Sequence, residues 1–298
     1  MKILLTGGTG FIGSQLVNEL TKNNFHCFIV TRTNMESAHP LVSYIKWDSL
    51  VSNSFQQTID VIINLAGESI NSGRWTNKIK NKILQSRIES TNNLITWLER
   101  QAHRPNLFIN ASAIGFYGTS TSLTFNEHDK PISKDFLATT VYDWEQAAQK
   151  AERLGIRTVL ARFGLVLDLN GGALPKMILP YKYYIGGPIG SGTQWISWIH
   201  QQDVVGIILH IINDNEIKGP INVVSPNPVT MNEFSKLLSS SLGRPNYLKV
   251  PGFMLNILLG EMSMLILKGQ KVLPSVALQT NYNFQFPSLE EALDFTLK

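Results

Sequence analysis

Cysteine is almost missing from this chain. Cys27 is the only one among 298 residues, so no intrachain disulfide can form, and an intracellular, cytoplasmic location is the default expectation. Cys27 lies inside the apolar run 25–30, where a buried, inert thiol is expected. Long hydrophobic runs are missing too. The one suspect, residues 253–267 (FMLNILLGEMSMLIL), contains Glu261 and falls short of the roughly 20 residues that span a bilayer. A buried helix or a subunit contact is expected there, and no membrane partner. The apolar stretch at the N-terminus is too short for a signal peptide. Charge is sparse, with Asp, Glu, Lys and Arg at 16% of the chain and a net charge of +4. The densest basic cluster, Lys78, Lys80 and Lys82, spreads around a helix instead of forming a stripe, so no nucleic-acid partner is expected. No His or Cys cluster has ligand spacing, which argues against a metal site. Internal repeats and low-complexity segments are absent.

What is there is glycine, in a telling place. A short apolar run, Ile3 to Leu5, leads into Gly7, Gly10 and Gly13, and an apolar helical pattern follows through Phe11, Ile12, Leu16, Val17 and Leu20. Strand, glycine turn and helix in that order form a dinucleotide-binding unit. Gly7 permits the tight turn, Gly10 lets the backbone approach a pyrophosphate, and Gly13 lets the helix lie close on the strand. Thr9, Phe11 and Ile12 complete the turn, whose free amides and positive dipole end suit phosphate. At the end of the second strand, NAD sites place a carboxylate about 20 residues on. This chain has Thr31-Arg32 instead. A guanidinium pairs with the 2′-phosphate of NADP, where a carboxylate would repel it. The stretch Asn64-Leu65-Ala66-Gly67 lets backbone pass close under the cofactor.

Apolar strand-like runs alternate with helical periodicities through the first half. Strands are expected at 26–31, 42–47, 60–65, 107–110 and 156–161, with helices at 82–101 and 135–154. Alternation of this kind implies parallel pairing with right-handed crossovers. Beyond Arg162 the pattern loosens. Residues 171–192 are rich in Gly and Pro, with a helix expected near 175–184. Helices are expected at 203–212 and 230–242, the second opening on the capping pattern Thr230-Met-Asn-Glu233, and a short strand at 221–224. The fold expected is α/β, a Rossmann-type doubly wound parallel sheet with a smaller C-terminal substrate-side lobe. Its division is a Rossmann core over 1–165 with later returns to the sheet, and a lobe over 166–298 that includes a C-terminal segment, 248–298.

Taken together, Thr6 to Gly13, Asn64 to Gly67 and Ser112 to Gly118 (SAIGFYG) resemble the extended short-chain dehydrogenase/reductases. Further stretches are similar to one atypical branch, the epimerase family proteins related to nucleoside-diphosphate-sugar epimerases. They are Gly67 to Asn71 with Arg74-Trp75, Ser86-Arg87-Ile88 with Thr91, Asp143-Trp144-Glu145, residues 162–167, 195–200 with Asp203, and 269–274. The resemblance covers essentially the whole chain. It implies NADP as cofactor and a small-molecule substrate. It also implies possible homodimerisation through the helices at 82–101 and 135–154.

The resemblance also exposes a departure. Active relatives use a Ser or Thr, a Tyr, and a Lys four residues after it, with the Tyr moving a proton while hydride passes to or from the cofactor. Here those positions fall on Ala113, near Thr140 and near Trp144. Tyr142 has Gln146 four residues on, and Lys150 stands about 12 Å further along a helix. Losing a positioned acid/base typically costs about 10²–10⁴ in rate. The replacements weighed are Ser112, which would also border the cofactor, Tyr117, Tyr142 and Glu145. Each has a structural alternative: Ser112 satisfying backbone, Tyr117 stacking, Tyr142 packing on the sheet, Glu145 solvent-exposed. A substrate pocket is expected from Glu68, Arg74, Trp75, Trp195 and His200, gathered at the carboxyl ends of the strands. Trp198 and His200 alternate as in a strand, which also fits a core role. The expected function is an NADP(H)-binding epimerase-like oxidoreductase on a small polar, possibly sugar-nucleotide-like substrate. The alternative is a catalytically silent NADP(H)-binding sensor or interaction protein.

Overall fold

A computed structural model describes all 298 residues. Seven parallel strands form its central sheet: β1 (Lys2–Thr6), β2 (His26–Thr31), β3 (Val42–Lys46), β4 (Val61–Asn64), β5 (Leu107–Ala113), β6 (Arg157–Phe163) and β7 (Gly219–Val223). Their spatial order is β7-β6-β5-β4-β1-β2-β3. The sequence order reverses between β1 and β4, which opens a crevice beyond the carboxyl ends of those strands.

The sheet is buried on both faces, and the two-residue period of the strands decides what each face meets. Ile3, Leu5, Ile29, Ile63 and Ile109 pack against α1 (Phe11–Lys22) through Leu16 and Leu20. Leu4, Phe28, Val30, Ile62 and Phe108 pack on the other face against Leu94, Ile95 and Leu98 of α2 (Asn77–Glu99). Ala148 of α3 (Phe136–Ala148) closes that layer. Burying one such aliphatic side chain stabilises by about 1.5–3 kcal/mol. Cys27 is buried in the first layer, and burial pushes its thiol up to about 12.

Caps set the helix boundaries. The Thr76 side chain accepts from the Ile79 amide to start α2, and the Asp135 carboxylate accepts from Leu137 and Ala138 to start α3. The first starts at Asn77, ahead of the expected 82, and the second at Phe136, one residue after the expected 135. A 3-10 extension, Gln149–Leu154, ends at left-handed Gly155 (φ 78°).

The second lobe carries α4 (Leu174–Lys182), α6 (Met231–Leu242) and α8 (Leu289–Leu297) around Ile178, Trp198, Phe234, Leu238 and Leu293. The capping box of Thr230 and Glu233 forms as the residues suggest. Between these helices α5 (Gln201–Asn213) returns to the first layer through Ile207, Ile208 and Ile211.

The expectation of a buried helix at 253–267 does not hold. The helix α7 (Gly252–Leu259) has no buried residue, and Ile257 and Leu258 are each 72% exposed. The reason lies in its composition. Asn256 is its sole polar side chain, so whichever side packs, an apolar side is left outward. No helix is long and apolar enough to cross a membrane.

Candidate functional site

Two stretches of the crevice are built differently. At the first, the glycines let strand, turn and helix pack backbone on backbone. Gly7 holds φ +70°, and a Cβ on it would stand 2.8 Å from the Leu65 carbonyl group. A Cβ on Gly13 would stand 2.2 Å from the Gly7 oxygen, closer than real Cβ atoms come. Gly10 is the N-cap of α1 with no side-chain cap, and the first turn holds no acidic residue. The first helical bond is Ser14 N–H to the Gly10 oxygen at 2.9 Å, so the amides of Phe11, Ile12 and Gly13 remain as free donors. Thr9 is exposed beside them, and the Phe11 ring is held against Gly171 and Gly172. A helix start with open amides and no competing carboxylate is an anion site.

Buried hydrogen bonds hold this end rigid. Thr6 donates to Asn64 Oδ1 (2.6 Å) and accepts from the Ala66 amide (3.2 Å). The Asn64 amide group donates to Thr91 (2.9 Å) and to Asn110 Oδ1 (2.6 Å), and the Trp144 indole donates to Thr91 (3.0 Å). Carboxyl ends of β1, β4 and β5 are thus fixed to one another and to α2 and α3. The Thr31 hydroxyl donates to the Thr33 carbonyl (2.7 Å), turning the chain so that Arg32 is exposed at the end of β2. Leu65 and Ala66 are half-buried, Gly67 is exposed, and a Cβ on Gly67 would lie 3.2 Å from the Arg87 guanidinium carbon.

The second stretch, at the ends of β5, β6 and β7, is a closed polar cluster. Arg162 and Glu145 form a bidentate pair, Nε to Oε1 and Nη2 to Oε2 at 2.8 Å each. Ser112 donates to the same Glu145 carboxylate at 2.5 Å. Arg162 also donates to the Tyr117 hydroxyl (2.9 Å), which donates to Asn222 Oδ1 (2.8 Å). The backbone amides of Asn222, Ser275 and Val276 converge on the Glu127 carboxylate at 3.0–3.2 Å. All these side chains are buried. Burial would depress the Arg162 guanidinium, but Glu145 and Tyr117 outweigh it and hold it above its ordinary value. Burial pushes the Tyr117 phenol up to about 12, against the pull of Arg162. The Arg162 guanidinium lies 3.6 Å from the Phe116 ring centroid.

The remaining expected site residues are distributed as follows. Tyr142 is 45% exposed on the outward side of α3, whose inward stripe is Ala138, Val141, Glu145 and Ala148. It does not join Ser112 and Tyr117, which corrects its expected catalytic place. His200 is buried against Phe286 (4.1 Å between centroids), and its Nδ1 accepts from the Gln202 amide at the start of α5. It caps a helix, with its ring buried against Phe286 and Phe295, which corrects its expected substrate place. Burial lowers its pKa, with Asp203 and Asp168 opposing. Trp75 is buried with its indole donating to the Ile70 carbonyl, stacked edge-on to Phe136 at 5.1 Å. Arg74 donates to the Ile257 carbonyl (3.1 Å), and Glu68 pairs with Lys82 (3.1 Å). The Trp195 indole donates to the Thr121 carbonyl, with the Lys271 ammonium 4.6 Å from its ring. Glu145, weighed as a catalytic replacement with solvent exposure as its alternative, is buried. Arg162, Asn222 and Glu127 were missed as members of the cluster, because nothing local in the sequence marks partners 17 to 149 residues apart. Arg87, which donates to the Glu68 and Ile83 carbonyls and lies 5.1 Å from the Trp144 ring, was noted only as part of a motif.

A reversed parallel sheet with an uncapped glycine turn at its switch point defines a Rossmann-type nucleotide-binding protein. Residues 3–224 match the NAD dependent epimerase/dehydratase family, and residues 250–295 match a domain of unknown function, DUF1731. The chain belongs to that epimerase family. It is similar to the epimerase family protein YfhF of Bacillus subtilis, 45% identical over 295 residues, covering 98% of this chain and 97% of the relative. It is also similar to the human epimerase family protein SDR39U1, crystallised with NADPH, at 32% identity and a TM-score of 0.91, covering 100% of this chain and 99% of that one. UDP-glucuronic acid 4-epimerase from Bacillus cereus shares the fold at 20% identity and a TM-score of 0.77, covering 100% of this chain and 96% of that one.

Proposed function

We propose that this chain binds NADP(H) across the Gly7–Gly13 turn and acts as an epimerase-like oxidoreductase on a small polar, sugar-nucleotide-like molecule. The observation that carries the reading is the uncapped start of α1, held close on the sheet by Gly7 and Gly13, where a side chain would strike backbone. The amides of Phe11, Ile12 and Gly13 would hold the diphosphate, and Thr9 would border it. Thr31 and Arg32 would receive the adenosine ribose and its 2′-phosphate, and Leu65, Ala66 and Gly67 would pass beneath the cofactor toward Ser112. SDR39U1, crystallised with NADPH, supports this cofactor choice. When bound, the nicotinamide would supply or accept a hydride.

Proton movement falls to this chain's own groups. Ser112 is the catalytic hydroxyl best suited to the role, because Glu145 accepts its proton side at 2.5 Å and leaves the oxygen lone pairs free. Tyr117 is poorly suited as a base, since its phenol is pushed up to about 12 and already both donates and accepts. Its role in this reading is to hold Arg162 in place. Titration of the purified protein with NADPH and with NADH tests the cofactor reading. Preference for NADPH is expected, and equal affinity for both, or none for either, overturns it.

A second reading, a silent NADP(H)-binding sensor, is favoured by the same closed cluster, because its hydroxyls are engaged within the protein. Steady turnover of a sugar nucleotide that disappears in Ser112→Ala would reject the sensor in favour of the enzyme.

A further inference from the structure

More than half of the exposed large hydrophobic side chains fall on two stretches, 179–185 and 247–258. Tyr183 is 69% exposed, Tyr247 65%, Phe253 65%, and Ile257 and Leu258 72% each. The two stretches are one surface. The Tyr247 and Leu248 amides both donate to the Gly186 carbonyl, and the Tyr247 hydroxyl donates to the Tyr184 carbonyl at 3.0 Å. Arg244 bridges them again, donating to the Tyr184 hydroxyl at 2.7 Å, and α7 follows directly in the chain. Large apolar side chains exposed together in this way mark something that covers them.

The charges say what. Residues 174–194 and 244–274 carry Lys176, Lys182, Arg244, Lys249, Lys268 and Lys271 against one acid, Glu261. Lys80 neutralises that acid in an ion pair. The surface is therefore apolar at its centre, lined by tyrosines, and cationic at its rim. A second copy of the same chain would set one cationic rim against another. An anionic bilayer meets every feature: aliphatic and phenylalanine side chains enter the acyl boundary, tyrosines sit at headgroup level, and lysines reach the lipid phosphates. We propose that α7 and the 179–185 stretch at the end of α4 dock this protein peripherally on an anionic membrane. The stretch 253–267 is too short to span, and a buried helix or a subunit contact was expected there; α7 has no buried residue, and docking on a membrane would depart from the expectation of no membrane partner.

The test is co-sedimentation of the full chain with phosphatidylglycerol/phosphatidylcholine vesicles and with pure phosphatidylcholine vesicles. Binding to the anionic vesicles is expected, roughly tenfold or more weaker on neutral ones and in about 0.5 M salt, where screening leaves little attraction. The I257D/L258D variant, altered where the chain is already most exposed, should lose binding by a similar factor with its thermal unfolding unchanged. K249E/K268E should lose it on anionic vesicles only. No sedimentation of the wild type, or equal binding by I257D/L258D, overturns the proposal. A wild-type dimer in ultracentrifugation that I257D/L258D makes monomeric overturns it in favour of a second copy.

Discussion

The turn at Gly7–Gly13 and the cluster around Arg162 stand at the same end of one sheet, yet they are opposites. At the turn, backbone amides are left unpaired, glycines let the helix start close on the sheet, and no acidic residue in the first turn competes for an incoming anion. At the cluster, each charged group already has its partner inside the protein. An open anion site and a closed polar network follow different rules. The first gives up local satisfaction so that a ligand can supply it. The second must be fully satisfied, because a buried ion pair tolerates the loss of neither partner. The contrast suggests a molecule whose nucleotide end is kept ready and whose chemistry end is kept rigid.

The sharpest way to break the contrast is at the closed end. Glu145→Ala strands the Arg162 guanidinium in the core, and removal of one member of a buried pair costs about 3–5 kcal/mol. Urea unfolding should show a midpoint shift of that order. A shift no larger than that of an exposed pair, about 0–1 kcal/mol, would mean that the cluster is open to water. At the open end, Gly13→Ala places a Cβ 2.2 Å from the Gly7 oxygen. Either the turn or the helix must move, costing about 1–3 kcal/mol. NADPH affinity should fall with stability, whereas Glu145→Ala should spare affinity at temperatures where it stays folded. Thermal unfolding with and without NADPH separates the two. Smaller again is Arg32→Ala. A charge-assisted contact is worth about 1.5–3 kcal/mol, so NADPH affinity should drop roughly tenfold or more while NADH affinity holds. An equal fall for both would place Arg32 outside the adenosine site.

What the sequence discloses follows the same division. The glycine turn is local, so its residues lie within one heptad-length stretch and their spacing carries the geometry. The strands are legible because apolar runs buried on both faces need no partner to be recognised. The sheet strand expected at 107–110 runs on to Ala113, because Asn110 and Ser112 look like strand-ending polar residues until their distant partners are known. Glu145 and His200 misled for one reason. A polar side chain's environment is set by what other elements bring to it, here Arg162 on β6 and Phe286 near the C-terminus. The apolar stretch at 253–267 misled in the opposite sense, since hydrophobicity alone argues for burial and only the packed neighbours decide it.

The smallest effect probes a residue that belongs to neither end. His200 is buried and neutral, its Nδ1 occupied as a helix cap and its ring against Phe286. Burial lowers its pKa below the ordinary 6.5. Between the lowered value and 6.5 the unfolded chain binds a proton that the folded chain refuses, so stability rises with pH through that window. It is fully present above about 6.5 and is lost as pH falls through the folded value. His200→Asn keeps an N-cap acceptor and removes the titration. Its stability will be lower at neutral pH for lost packing, so the slope is the readout. Stability measured by denaturation from about pH 7 to pH 5 should fall less steeply in His200→Asn than in the wild type. Parallel slopes would mean that folding leaves the imidazole pKa unshifted, with Asp203 and Asp168 offsetting burial.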